Sequence, residues 1–367
     1  MKEMLTLAIY LRPKSSVGSW LSSDTLFGAM CWAIRLTEGE QVLKQWLERC
    51  QSDPPEWFLS SAFPFVDADK PLHFLPKPLI LNPDAGTVAE VAGDDRKRLL
   101  EAMRQAKTIS KCAYISETLF ASAARGEMKA KVLLEKVFDG AIEIKSGCIL
   151  TKSETDLLPK RLWSTRHSRS TKRLWSTVDT QHTAVDRVLT SAAEGLLYFD
   201  TEHFFGERVG LFFLLNCPDE FPIDPVIRFW EHGGLGGNRS VGKGHFEIRK
   251  QPADDWLTQL QPTKGKVVIL LSHCIPKGNE FALDSSIYRL ISKRPKFESA
   301  FGQPHRVYKG IVRFIAEGSV LVPKQDKSAF GQLVKVGEQT DFDGVSHPVY
   351  HNGLGFALKA VMADEVE

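Results

Sequence analysis

No run of 18 apolar residues occurs anywhere in the 367 residues. The longest apolar candidates, such as Val267–Leu271, are strand-sized, so no membrane-spanning helix is expected. No Cys-x-x-Cys pair occurs either. The six cysteines (Cys31, Cys50, Cys112, Cys148, Cys217, Cys274) are scattered, which disfavours a zinc site of the usual spacing and a small disulfide scaffold. Free thiols in a reducing cytoplasm are the simplest expectation. Met1–Arg12 is too short and too poorly flanked for a signal peptide. With 27 glycines and 19 prolines, nothing collagen-like or broadly low-complexity is present. Acids are missing from one place: Leu157–Val178 holds six basic residues and no Asp or Glu. The whole chain carries only +2, so its positive charge is concentrated there. A local basic cluster suits a polyanion, while the overall balance excludes a histone-like protein.

The length allows two or three domains, each with a real core. An apolar fraction of 43% and a charged fraction of 25% exclude wholesale disorder. Met4–Leu11 reads as a first strand. Ser22, Ser23 and Asp24 are good N-caps for a helix whose Leu26, Met30, Ala33 and Ile34 share a face, and Leu26, Phe27, Met30 and Ile34 are read as core. A second amphipathic stretch ends at Asp53-Pro54-Pro55. Trp57–Val66 and Leu72–Leu81 are extended, and their prolines suggest edge strands or loops. Asp94–Gly126 reads as helices, and Ala141–Leu150, Gly195–Phe199 and Arg208–Cys217 as strands. Thr151–Asp186 has little apolar periodicity and repeats Lys-Arg-Leu-Trp-Ser-Thr at 160–165 and 172–177. It reads as a long basic arm. Pro218–Pro225 reads as a linker, followed by a short helix, a glycine-rich loop at 233–244 and further strands. This order suits an α+β chain of two ferredoxin-like domains. The expected division is 1–218, with a helical insertion near 82–127 and the arm near 151–190, and 219–367, carrying the glycine loop.

The segment Gly233-Gly234-Leu235-Gly236-Gly237-Asn238-Arg239-Ser240-Val241-Gly242-Lys243-Gly244 has six glycines able to adopt positive φ and expose backbone N–H groups as an anion nest. Gly237-x-x-x-x-Gly242-Lys243 imitates a P-loop, but Gly244 stands where Ser or Thr should bind magnesium. A helix also precedes the loop and a strand follows it, the reverse of a P-loop or a dinucleotide fingerprint. Arg239, Ser240 and Lys243 between the glycines favour a ligand-binding loop over one that merely turns.

Gly-Leu-Gly-Gly-x-Arg-Ser-Val-Gly-Lys-Gly-x-Phe resembles the signature loop of the RAMP superfamily of CRISPR proteins. Ser23-Asp24-Thr25-Leu26-Phe27-Gly28-Ala29, Ser60-Ser61-Ala62-Phe63-Pro64-Phe65, Phe74-Leu75-Pro76-Lys77-Pro78, His182-x-x-x-Asp186-Arg187-Val188 and His351-Asn352-Gly353-Leu354-Gly355 follow in an order similar to that of the fourth Csm subunits of type III-A effector complexes. The resemblance implies two ferredoxin-like domains and a subunit that caps one end of a crRNA-guided complex. It implies the crRNA 5′ handle, the large polymerase-like signature subunit and a backbone RAMP subunit as partners, with no membrane partner, no cofactor and no catalysis. Carried onto this chain, Gly236, Gly237, Asn238, Arg239, Ser240, Gly242, Lys243, Gly244 and His245 would clamp the handle. Ser22, Ser23, Asp24 and Thr25 would face the same groove, and His182, Asp186 and Arg187 would lie on the arm. The repeat between Lys160 and Thr177 departs from the family's pattern.

Simpler readings stand beside these. His182 and Asp186 would share one face of a helix, but no third or fourth ligand lies near in sequence, and no metal is expected. His245 shares a strand face with Glu247 and Arg249, with Phe246 and Ile248 inward. Beside a ribose it could act as a general base, so a crRNA-processing endoribonuclease is the alternative function. Lys160, Arg161, Arg166, Arg169, Lys172 and Arg173 with Trp163 and Trp175 suit single-stranded nucleic acid, or else a solvated loop. A third reading is an assembly protein whose basic arm meets protein acids.

Overall fold

Thr6–Leu11 is six consecutive buried residues, and a strand buried on both faces must lie inside a sheet with both sides covered. In the computed structural model, which describes residues 4–159, 174–186, 191–297, 302–303, 308–327, 329–341, 344 and 346–362, Met4–Pro13 does lie there. It pairs antiparallel with Val209–Pro218 on one side and Phe246–Pro252 on the other. Val209–Pro218 then pairs with Phe63–Val66. In chain order these are strands one, two (Phe63–Val66), three (Val209–Pro218) and four (Phe246–Pro252), arranged 4-1-3-2. With helix Ser23–Thr37 after the first strand and helix Ile223–Gly233 after the third, they form one βαββαβ ferredoxin-like unit. Its two helices lie side by side; the Trp230 indole N–H donates to the Ala29 carbonyl at 3.3 Å.

Three sequence expectations change here. The break expected after residue 218 cuts this unit, because the strand beyond the glycine loop returns to pair with Met4–Pro13. The expected linker is the end of one strand and the first turn of a helix, leaving only residues 219–222 between them. Phe63–Val66 is internal rather than an edge. Pro64 is tolerated because the ladder with Leu72–Pro76 covers only Phe65 and Val66.

Residues 67–208 are inserted between the second and third strands. Leu72–Pro76, Tyr114–Ser116, Cys148–Thr151 and Ile142–Lys145 extend the same sheet. Helices Ala85–Ala92, Arg96–Lys111, Glu117–Ala124 and Ala130–Phe138 pack beside them, so the helical insertion runs past 127 to 138. The arm is not a featureless loop. Trp175–Asp186 and Ser191–Phe205 form a long antiparallel hairpin. Its alternating residues gave no core periodicity because a two-stranded ribbon has no core of its own.

From Val267 onward the described residues form small sheets and no α-helix. Val267–Leu270 pairs with Val320–Leu321 and Ala357–Ala360, Leu290–Lys293 with Val312–Ile315, and Phe330–Asp341 with Ser346–Gly355. One apolar core runs through both halves, from Ile9 and Trp57 to Leu271 and Phe356. The six cysteines are free thiols, five of them buried. No helix among the described residues is long and apolar enough to cross a membrane.

Candidate nucleic-acid interface

Segment 14–21 carries the glycine loop on one side and the hairpin on the other. At the loop's neck, Leu235 N–H donates to the Gly244 carbonyl at 2.8 Å and Gly244 N–H donates to the Ser16 carbonyl at 2.8 Å. His245 N–H donates to Ser15 Oγ at 3.0 Å. Gly234, Gly236, Gly242 and Gly244 all have φ between 75° and 88° or, for Gly244, 70°, and Asn238 is left-handed. These turns raise a crown around a short 3-10 turn, Arg239–Val241. Gly237, Asn238, Ser240 and Val241 are exposed at its rim.

The hairpin is rooted by aromatics. Trp20 lies 5.6 Å from Trp175 and 5.9 Å from both Phe205 and Tyr114. Val17 and His203 exchange backbone hydrogen bonds of 3.0 and 2.8 Å. The face that carries Asp200 and Glu202 meets the glycine loop. Lys243, only 7% exposed, pairs through its ammonium with Asp200 and, at 3.1 Å, with Glu202. Asn238 Nδ2 donates to Asp200 at 2.6 Å, and Ser16 Oγ donates to Glu202 at 2.6 Å. The Ser16 hydrogen bond holds the Glu202 carboxyl below its ordinary value, and the carboxylates more than offset burial to raise Lys243. Towards the tip, Tyr198 and Phe199 are 56% and 66% exposed, and His182 stacks on Tyr198 with centroids 5.3 Å apart.

The start of helix Ser23–Thr37 meets the second half of the chain. Asp24 Oδ1 accepts from Ser22 Oγ and from Lys293 Nζ, both at 2.7 Å, and lies 3.2 Å from His273 Nδ1. His273 Nε2 is 3.1 Å from Glu317, which also accepts from Ser61 Oγ. Burial alone would raise the Asp24 carboxyl; the His273 hydrogen bond and the Lys293 charge hold it well below the carboxylate range. His273 itself is raised, because its bonds to Asp24 and Glu317 outweigh burial.

No protein-family model matches the sequence. The chain is 25% identical to the CRISPR system Cms protein Csm4 of Thermococcus onnurineus (strain NA1), over 98% of this chain and 99% of that one. Its fold is shared with a chain of the Csm3–Csm4 subcomplex in the type III-A CRISPR-Cas interference complex, at 18% identity, a TM-score of 0.62 and coverage of 96% and 99%. It is shared too with a chain of the Csm1–Csm4 cassette in complex with pppApA, at 21% identity, a TM-score of 0.54 and coverage of 98% and 99%. Over nearly its whole length the chain is thus similar to a Csm4 protein, and it shares the fold of Csm4-containing type III CRISPR assemblies.

In this Csm4-like chain the expected site residues divide. Gly236, Gly237, Asn238, Arg239, Ser240 and Gly242 form the crown, and Gly244 and His245 its neck. Lys243 departs from the expected phosphate clamp: its charge is spent between two carboxylates. Ser23 is fully buried, its Oγ accepting from His273 N–H, and the Asp24 side chain is 6% exposed, so neither faces a groove. Ser22 and Thr25 are half-buried beside them. His182 stands on a strand, not a helix, and Asp186 ends the same strand. Its spatial neighbours are Asp200 and Glu202, distant in sequence, with donor atoms within 4.8 Å of one another. The Lys243 ammonium already bridges those two carboxylates, so the cluster is an ion-pair network. Trp175 is packed at the hairpin's root rather than offered to RNA. Lys160, Arg161, Trp163, Arg166, Arg169, Lys172, Arg173 and Arg187 lie outside the described residues. Tyr198 and Phe199 were not singled out from sequence. Their signal was Leu-Leu-Tyr-Phe on consecutive positions of a strand, which places bulky groups on both faces.

Replacing Lys243 with methionine is expected to lower stability by about 1 to 2 kcal/mol, since it leaves Asp200 and Glu202 together without a cation. The Lys243→Met, Asp200→Asn cycle, read by urea unfolding, should show coupling of roughly 1 kcal/mol. Additive losses would mean the two groups do not interact.

Proposed function

We propose that this chain is a non-catalytic subunit of a cytoplasmic type III-A CRISPR effector complex that holds the 5′ handle of crRNA and docks the large signature subunit and a backbone RAMP subunit. The end-to-end similarity to Csm4, over 98% and 99% of the two chains, carries this reading. The solved relatives are Csm1–Csm4 and Csm3–Csm4 assemblies, which supports the two protein partners. The glycine crown supports the RNA. Left-handed backbone at Gly234, Gly236, Asn238, Gly242 and Gly244 shapes a crown on which Asn238 and Ser240 stand exposed beside Arg239. The N–H groups of Gly234, Leu235 and residues 241–244 are spent on the chain's own carbonyls, so its side chains would carry the contacts. The hairpin adds Tyr198 and Phe199 as planes for unstacked bases.

Arg239 is the crown's other cation. Arg239→Ala is expected to weaken handle-RNA binding by about 2 kcal/mol, the scale of a charge-assisted contact, or roughly 30-fold. Fluorescence anisotropy with labelled handle-bearing RNA reads this directly. A change within assay error would remove the loop from the RNA site.

A further inference from the structure

The stretch Ser285–Ala316 holds seven lysines and arginines and one acid, Glu298. Among its described residues Leu290–Lys293 pairs with Val312–Ile315 and Lys296 lies opposite Tyr308, making a two-stranded ribbon. One side is spent on the interior: Phe297 and Phe314 are buried, and Lys293 reaches Ser22 at 2.6 Å and Asp24. The other side is open. Ser292, Arg294 and Lys296 are exposed on one edge, and Ile311 and Arg313 on the other, with Arg313 directly opposite Ser292. The Arg294 guanidinium lies 5.1 Å from the Tyr308 ring and Lys296 Nζ lies 6.0 Å from it. No carboxylate among the described residues pairs with Arg294, Lys296 or Arg313.

Three exposed cations with no carboxylate partner among the described residues make a local positive potential that favours an anion. Arg294 and Lys296 are two residues apart on an extended strand, about 7 Å, close to the spacing of neighbouring phosphates in an extended single strand. Tyr308, 43% exposed, sits between them as a stacking plane. We propose that this ribbon is a second surface for single-stranded RNA, with Arg294, Lys296 and Arg313 on phosphates and a base on Tyr308. Through Lys293 and Ser22 it is continuous with segment 14–22, which carries the glycine loop. An acidic protein surface is the competing occupant. The cation–aromatic pairing favours RNA, because a base extends the Arg294–Tyr308 stack and a carboxylate does not.

The inference rests on the RNA-binding reading but is tested apart from it. The full-length Arg294→Ala, Lys296→Ala, Arg313→Ala variant is titrated with labelled handle-bearing RNA and with a labelled single strand of unrelated sequence, over a range of salt. Both RNAs should bind at least tenfold more weakly, and the slope of log K against log salt should be shallower by about 2, for three lost phosphates. The melting temperature should not move, since the side chains are exposed. Tyr308→Ala alone should cost about fivefold. Unchanged affinity and slope overturn the ribbon and leave the handle reading standing. Ribbon-dependent binding without preference for the handle upholds the ribbon and defeats the handle reading. Intact RNA binding with lost co-purification of a Csm1- or Csm3-like subunit overturns the RNA proposal and gives the ribbon to a protein. A wild-type chain that binds neither RNA defeats both.

Discussion

Asp24→Ala should destabilise the chain by about 3 to 5 kcal/mol, the cost of removing one partner from a buried ion-pair network. The Asp24 carboxylate is the point where helix Ser23–Thr37 meets Lys293 and His273, so its loss leaves two cations facing each other across an empty site. Urea unfolding of the full chain measures the loss. A change near 0.5 kcal/mol would show that the two halves are joined by apolar packing alone.

The same network gives a pH dependence of fixed sign. His273 is raised above its ordinary 6.5, so the stability it supplies is complete below pH 6.5 and fades as pH rises through its folded value. Asp24 and Glu317 are lowered from 3.8 and 4.5, so their share is complete above those values and fades on acidification. The advantage of wild type over His273→Gln should therefore be greatest below pH 6.5 and shrink as pH rises above it. Burial pushes His351 down to about 4, which weakens the fold as pH falls below 6.5 in both proteins and drops out of the difference. A difference that grows with pH would mean that His273 is neutral in the folded chain.

Gly244→Ala should cost about 3 kcal/mol. Gly244 has φ near 70°, where an L side chain costs about 1 to 2 kcal/mol, and the added methyl would overlap the Leu235 carbonyl oxygen. Relief requires opening the Leu235–Gly244 hydrogen bond that closes the neck of the crown. Handle-RNA affinity should fall with stability, whereas Gly237→Ala, whose added methyl meets nothing within 4 Å, should leave the fold intact. Equal melting temperatures for Gly244→Ala and wild type would contradict the described neck.

Local signals carried the parts of the fold that rest on local chemistry. The helix face Leu26, Met30, Ala33, Ile34 and the inward pair Phe246 and Ile248 lie where periodicity places them. The order helix, glycine loop, strand was legible and is the order in the structure. Pairing between distant segments was not legible. Nothing in Phe246–Pro252 says that it joins Met4–Pro13 rather than a later strand, so local signals alone end the unit too early. The ion pairs were hidden for the same reason. Lys243 and Asp200 are 43 residues apart, and Asp24 and His273 are 249 apart. A lysine in a glycine loop and an aspartate at a helix start look like ligand contacts until their partners arrive from elsewhere in the chain. Arg294, Lys296 and Arg313 do not stand out in sequence because the basic run at 160–173 is denser, while theirs is assembled by strand pairing.

The most direct measurement is a paired native and denaturing gel of the purified chain with mature handle-bearing crRNA, the same RNA with a scrambled handle, and unprocessed repeat RNA. The account predicts a selective native shift of the handle-bearing RNA, with every RNA intact on the denaturing gel. No preference for the handle would contradict the capping role. Shortened repeat RNA, lost on His245→Ala, would make the chain a nuclease instead.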